Sequence, residues 1–127
     1  MIFERDIANS ILDEFSGRET VFLLGTRQTG KTTIAKILQS KWKGENSLHI
    51  DLEDRSYRNN FNALSIDALK NVLLIEGIDI KKPGLLILDE VQLLDDPSNT
   101  LKLLHDHFIN LKVVATGSSS LEIKQKF

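Results

Sequence analysis

Gly25, Thr26, Arg27, Gln28, Thr29, Gly30, Lys31 and Thr32 fit the spacing G-x-x-x-x-G-K-[ST] without a gap. An apolar run at residues 21–24 precedes them, and a helical pattern carrying Ile34, Ile37 and Leu38 follows. That combination has a chemical use. Glycines at the tight positions let a loop turn its backbone N–H groups inward as a concave nest, and the start of the next helix adds unpaired amides and the positive end of its dipole. Such a cradle binds phosphate. Lys31 is the candidate to reach the β and γ phosphates, and Thr32 the candidate to offer its hydroxyl to Mg²⁺, with Thr33 beside it where the helix should begin. A plain glycine turn with an exposed lysine is the alternative. From average composition the pattern arises by chance in on the order of one in a few hundred chains of this length, and the strand–helix context makes chance rarer still.

A second motif bears on what is done with a bound nucleotide. Leu85, Leu86, Ile87 and Leu88 lead into Asp89 and Glu90, so a buried strand delivers two carboxylates at its C-terminal end, where ligands sit in open α/β sheets. Adjacent strand residues point to opposite faces, which gives the two acids different roles. Asp89 is the candidate to hold Mg²⁺ beside Thr32, directly or through water, and Glu90 the candidate base for the water that attacks the γ phosphate. Taken alone, acids at a strand end are mostly solvated terminators; the upstream loop is what turns the pair toward function. A third stretch, VVATGSSSL at residues 113–121, runs from an apolar strand into small polar residues. Thr116 and Ser118 are the candidates there to hydrogen-bond the γ phosphate or the attacking water from the side opposite the cradle, the plain alternative being a loop and helix cap.

The elements that must position these groups alternate between helix and strand patterns, which favours an α/β fold with a parallel sheet. Phe3, Ile7, Ile11 and Phe15 recur at helical spacing before Gly17, predicting an opening amphipathic helix. Strands are expected at residues 21–24, 47–52, 85–88 and 111–115. Ser65 can cap a helix that turns Leu69, Val72 and Leu73 inward and stops before Gly77. Asp96 and Pro97 suit the cap and first position of another helix, with Leu101, Leu104 and Phe108 as its buried stripe. No repeat, low-complexity segment or linker interrupts the chain, so residues 1–127 read as one domain.

Composition excludes several classes. At 127 residues, 41% hydrophobic and 27% charged, the chain has enough apolar content for a core and is not of disordered composition. Its longest apolar runs fall far short of the roughly 20 residues of a membrane span. The N-terminus places Glu4, Arg5 and Asp6 where a secretory signal would need an apolar core, so a cytoplasmic location is expected. Without cysteine there is no disulfide, thiolate metal site or cysteine nucleophile. A net charge of -2 withholds the global basic signal of a dedicated nucleic-acid binder, although a local patch leaves nucleic acid open as a partner. Other polar residues have plain readings. His105 and His107 stand about 200° apart around a helix and cannot share a metal. His49 reads as alone in its strand, and Asp51, Glu53 and Asp54 as a solvated strand end. Lys41, Trp42 and Lys43 read as a helix end, Arg27 and Gln28 as loop positions, and Gln92 as a residue within reach of the water or the γ phosphate.

Taken in order, GTRQTGKTT, LLILDEVQ and VVATGSSSL resemble the Walker A, Walker B and sensor-one stretches of the AAA-type ATPase domain found in bacterial and archaeal ATPases. The resemblance covers nearly the whole chain, with Thr26 standing where that group usually has proline. It implies a three-layer P-loop NTPase fold, a parallel sheet flanked by helices, with this chain as the N-terminal portion that stops before the last strand and lid. It also implies ATP and Mg²⁺ as cofactors, and hydrolysis of ATP to ADP and phosphate coupled to a conformational switch or to work on a macromolecular partner. By the same resemblance Lys31, Glu90, Thr116 and Ser118 act in catalysis and the rest of residues 25–33 bind nucleotide. A small-molecule kinase and a non-hydrolysing regulatory module stay open as alternatives, and so does oligomeric state. Adenine is favoured over guanine because no N-K-x-D-like stretch follows any strand.

Overall fold

A computed structural model describes residues 20–24, 36–40, 42, 46–62 and 65–117. The expected opening helix, the glycine loop with Lys31, Thr32 and Thr33, and Ser118 lie outside the described residues. Four strands form the sheet: β1 (Val21–Leu24), β2 (Ser47–Asp51), β3 (Gly84–Asp89) and β4 (Leu111–Gly117). Between them come α1 (Arg55–Asn62) and α2 (Ile66–Ile75), then a single 3-10 turn at Val91–Leu93, and α3 (Pro97–His107). Residues 36–40 are helical as well, with Leu38 fully buried.

The strands are all parallel and lie in the order β1-β4-β3-β2. Going from β2 to β3 to β4, the chain moves one strand at a time in one direction across the sheet. From β1 to β2 it moves from edge to edge in the opposite direction. Parallel crossovers are right-handed, so this reversal sends α1, α2 and α3 to one face and the helical residues 36–40 to the other. The packing agrees. Ile50, Leu86, Leu88, Val113 and Ala115, which alternate onto one face, form a single cluster with Phe61, Leu69, Leu73, Leu101 and Leu104 from the three helices. Leu85, Ile87 and Val114, on the opposite face, are also fully buried. Every residue of β3 and β4 is buried, as expected of central parallel strands covered on both sides. This is the α/β architecture the sequence predicts.

Local signals account for two of the helices. Ser65 is the N-cap of α2, its side chain accepting from the Ala68 N–H, and Gly77 just beyond the helix adopts a φ of 94° that a side chain would resist. Asp96 caps α3 by accepting from the Asn99 N–H at 3.1 Å, with Pro97 at the first position where its missing N–H costs nothing. The sequence reading lacks α1. Asp54, read as part of a solvated strand end, instead opens this helix by accepting from the Ser56 N–H at 2.9 Å. Tyr57 of α1 donates to Glu76 at the end of α2, and that hydrogen bond raises the phenol above its ordinary pKa. The bond ties the two helices together, while Phe61 anchors α1 in the core.

Asn46 fastens the approach to β3. Its side-chain amide donates to the Asp79 carbonyl and its oxygen accepts from the Asp79 N–H, both at 2.8 Å. Among the described residues no helix is long and apolar enough to cross a membrane. Phe61 is fully buried whereas Ile75 is 83% exposed. Phe61→Ala should therefore lower the unfolding free energy by about 3–5 kcal/mol. Ile75→Ala should change it by no more than about 0.5 kcal/mol. Urea denaturation followed by circular dichroism checks both.

Candidate functional site

The order in which the strands are laid down reverses between β1 and the other three, with β1 beside β4, and in open α/β sheets ligands bind at the carboxyl edge next to such a point. Leu24, the last residue before the glycine loop, pairs with Gly117 of β4, and Leu88 pairs with Ala115. Asp89 therefore ends β3 alongside Thr116, one residue short of the position where β1 hands over to the loop. Three of the residues singled out by the sequence, Asp89, Glu90 and Thr116, meet at this edge.

Their contacts are specific. The Thr116 hydroxyl donates to Asp89 Oδ1 and accepts from the Glu90 backbone N–H at 3.1 Å, so one buried side chain of β4 engages both acidic residues. Gln92 donates its amide to Glu90 Oε2. Burial makes these contacts matter: Asp89 is 6% exposed, Glu90 4% and Thr116 1%. Carboxylates are almost never this enclosed unless partnered, since stripping water from a charge is expensive. Two such groups side by side at a strand end are not the solvated terminators of the plain reading.

Glu90 differs from the expectation of a strand residue. It lies just past β3, in the left-handed region at φ 66°, ψ 51°. A non-glycine residue held there bears a cost of roughly 1–2 kcal/mol. The turn has a packing reason. It swings Val91 and Leu94 into the core, where they are 0% and 4% exposed, while Glu90 stays at the edge. The different placement of Asp89 and Glu90 thus comes from a change of chain direction after Asp89 and not from simple strand alternation.

Thr116 is expected from the sequence to face phosphate or water; the structure gives its hydroxyl to Asp89 and to the Glu90 N–H. Gln92, expected near the same water, orients the Glu90 carboxylate.

His49 corrects the sequence reading outright. It is not alone: its Nε2 lies 3.3 Å from Asp89 Oδ2. In the β2–β3 register His49 pairs with Ile87 and Asp51 with Asp89, so alternation brings His49 onto the face of β3 that carries Asp89. The only sequence signal was the two-residue spacing from His49 to Asp51, which has no meaning until the neighbouring strand and its register are known. Asp51 is exposed and accepts from the Glu53 N–H at 2.9 Å. His105 faces Asp106 at 3.1 Å, a contact that lowers the Asp106 pKa. Among the described residues no three of histidine, cysteine, aspartate and glutamate gather to hold a metal.

A family model described as an AAA domain matches residues 17–127. The chain belongs to this AAA domain family. No curated protein matches it. Membership makes it a nucleotide-binding AAA-type domain, and the acids of its crevice are those of the LLILDEVQ stretch. The AAA domain thus partners its buried Asp89 carboxylate with a hydroxyl on the neighbouring strand, which also takes the Glu90 backbone N–H, and partners the Glu90 carboxylate with Gln92. Replacing that hydroxyl with a methyl of similar shape leaves the Glu90 N–H and one Asp89 oxygen without this partner. Thr116→Val should destabilise the fold by about 1–3 kcal/mol, and Thr116→Ser should recover most of it. Chemical denaturation of the two variants measures the difference.

Proposed function

We propose that this AAA domain binds ATP with Mg²⁺, hydrolyses it to ADP and phosphate, and uses the cycle to drive a conformational switch or work on a macromolecular partner. The observation that carries the reading is the meeting of Asp89, Glu90 and Thr116 at the carboxyl edge, beside the Leu24–Gly117 pair from which the glycine loop departs. A buried carboxylate at that edge is a hard oxygen donor of the kind Mg²⁺ prefers, so the residues present fit the ion. Thr32 and Asp89 would hold it. When bound, it neutralises charge on the phosphates.

The remaining work belongs to the chain. In this reading the backbone N–H groups of residues 25–33 cradle the phosphates, and Lys31 pairs with the β and γ phosphates. Glu90 orients a water in line with the γ phosphorus and takes its proton as the new P–O bond forms and the bond to the ADP oxygen breaks. Gln92, already bonded to Glu90 Oε2, sets the direction of that carboxylate. Ser118, the residue after β4 in sequence, would hydrogen-bond the γ phosphate or the attacking water, while Thr116 holds Asp89. The left-handed turn at Glu90 supports the assignment, because strained residues concentrate where geometry serves chemistry.

Two variants separate binding from turnover. Lys31→Ala should abolish Mg·ATP binding in titration calorimetry while leaving the circular dichroism spectrum unchanged; unaltered affinity would remove Lys31 from the site. Glu90→Gln should retain ATP and slow phosphate release by about 10²–10⁴-fold. Release at the parental rate would assign the base to another residue. Formation of ADP only when an acceptor alcohol is supplied, with the phosphoryl group recovered on that alcohol and no free phosphate, would point to a kinase in place of an ATPase.

A further inference from the structure

His49 is not accounted for by the nucleotide-binding reading, yet its ring contacts the acid on which that reading depends. The Asp89 carboxylate is held from two directions. Thr116 of β4 donates to Oδ1, and His49 of β2 lies 3.3 Å from Oδ2. Against an ionised carboxylate, which only accepts, His49 Nε2 must be the donor. A carboxylate anchored at one oxygen can still turn about its terminal torsion, which has a broad, two-fold profile. Anchors on both oxygens, supplied by the strands on either side, fix its plane.

The placement of His49 argues for this purpose over simple packing. Its side chain is 21% exposed at the sheet edge, and it is not part of the apolar cluster built on the opposite face. It is also set by register. β2 pairs His49 with Ile87 and Asp51 with Asp89, so an acid lies directly across from Asp89 on the same face. Like charges opposite one another repel, and a donor on Asp89 Oδ2 from the same strand offsets that repulsion. Asp51 turns one oxygen to the Glu53 N–H.

We infer that His49 is a positioning residue for Asp89: it fixes the carboxylate from β2 as Thr116 fixes it from β4, and so sets how strongly the bound nucleotide recruits Mg²⁺. This rests on the nucleotide-binding reading of the same site. Partners that orient a metal-binding group typically change metal affinity by about 10–100-fold when removed. One hydrogen bond of 3.3 Å belongs at the low end of that range.

The test uses the full chain, a fluorescent ATP analogue and Mg²⁺ titrated from chelator upward, for the parent, His49→Leu and His49→Gln. His49→Leu should raise the Mg²⁺ concentration at the midpoint of the metal-dependent gain in affinity by about 10-fold, with metal-free affinity unchanged. His49→Gln, which restores a donor, should stay within about 2-fold of the parent. A parental midpoint in His49→Leu overturns the inference. So does equal impairment in both variants, which would assign the ring a packing role, or loss of metal-free affinity in either. Thermal melts show that the variants are folded, and His49→Ala, which also removes the donor and should shift the midpoint as His49→Leu does, carries the test if the leucine variant is not. A parent that binds no nucleotide would overturn the functional reading and this inference together; a parent that responds to Mg²⁺ beside an indifferent His49→Leu would overturn this inference alone.

Discussion

One hydroxyl joins the ends of the two central strands. Thr116 donates a hydrogen bond to Asp89 and accepts one from the N–H of Glu90, and both of those residues are enclosed. Neutral hydrogen bonds add little net stability, but leaving a buried donor or acceptor unmatched is costly, especially next to a charge. The exchange between β3 and β4 gives the acid that ends this fully buried strand a partner, and matches the N–H of the residue that follows it. Without it, water would have to reach that carboxylate, or its neighbours would have to move apart.

The place for that exchange comes from the order in which the strands are laid across the sheet. A chain that stepped steadily across the sheet would put all its crossovers on one face and leave no crevice. Here β2, β3 and β4 step one way, while β1 sits at the far edge beside β4. The cluster of Phe61, Leu69, Leu73, Leu101 and Leu104 shows which face the three helices occupy, and His49, Asp89 and Thr116 alternate onto the other. Stability and site chemistry are thus assigned to different faces of the same strands. Changes at His49 of β2 or Thr116 of β4 reach Asp89 by direct contact.

Much of this was legible from residue order. The four strands, the caps at Ser65 and Asp96, Pro97 and the buried stripes of α2 and α3 all follow from local patterns, because each signal lies within one or two helical turns or one strand. Helix α1 was not legible. Its eight residues offer only Tyr57 and Phe61 at helical spacing among polar neighbours, and its cap looked like the acidic end of β2. Glu90 was misread for a related reason: left-handed backbone favours glycine or asparagine, so a glutamate there gives no warning, and only the burial of Val91 and Leu94 explains the turn. The contacts of His49 and Thr116 depend on strand order and register, which are long-range properties absent from any local pattern. The LLILDEVQ stretch contains the acids, but not His49 and Thr116, which hold Asp89.

The central claim is that nucleotide occupies the crevice at the ends of β3 and β4, against the acids that Thr116 holds. Amide chemical-shift mapping of the labelled chain during titration with Mg²⁺ and a non-hydrolysable ATP analogue tests it most directly. The account predicts that the largest changes among the described residues fall on Asp89, Glu90, Thr116 and Gly117, with those on the exposed side of α2 unmoved. Saturating analogue that left these four amides unshifted, or that shifted a surface remote from the carboxyl edge, would contradict it.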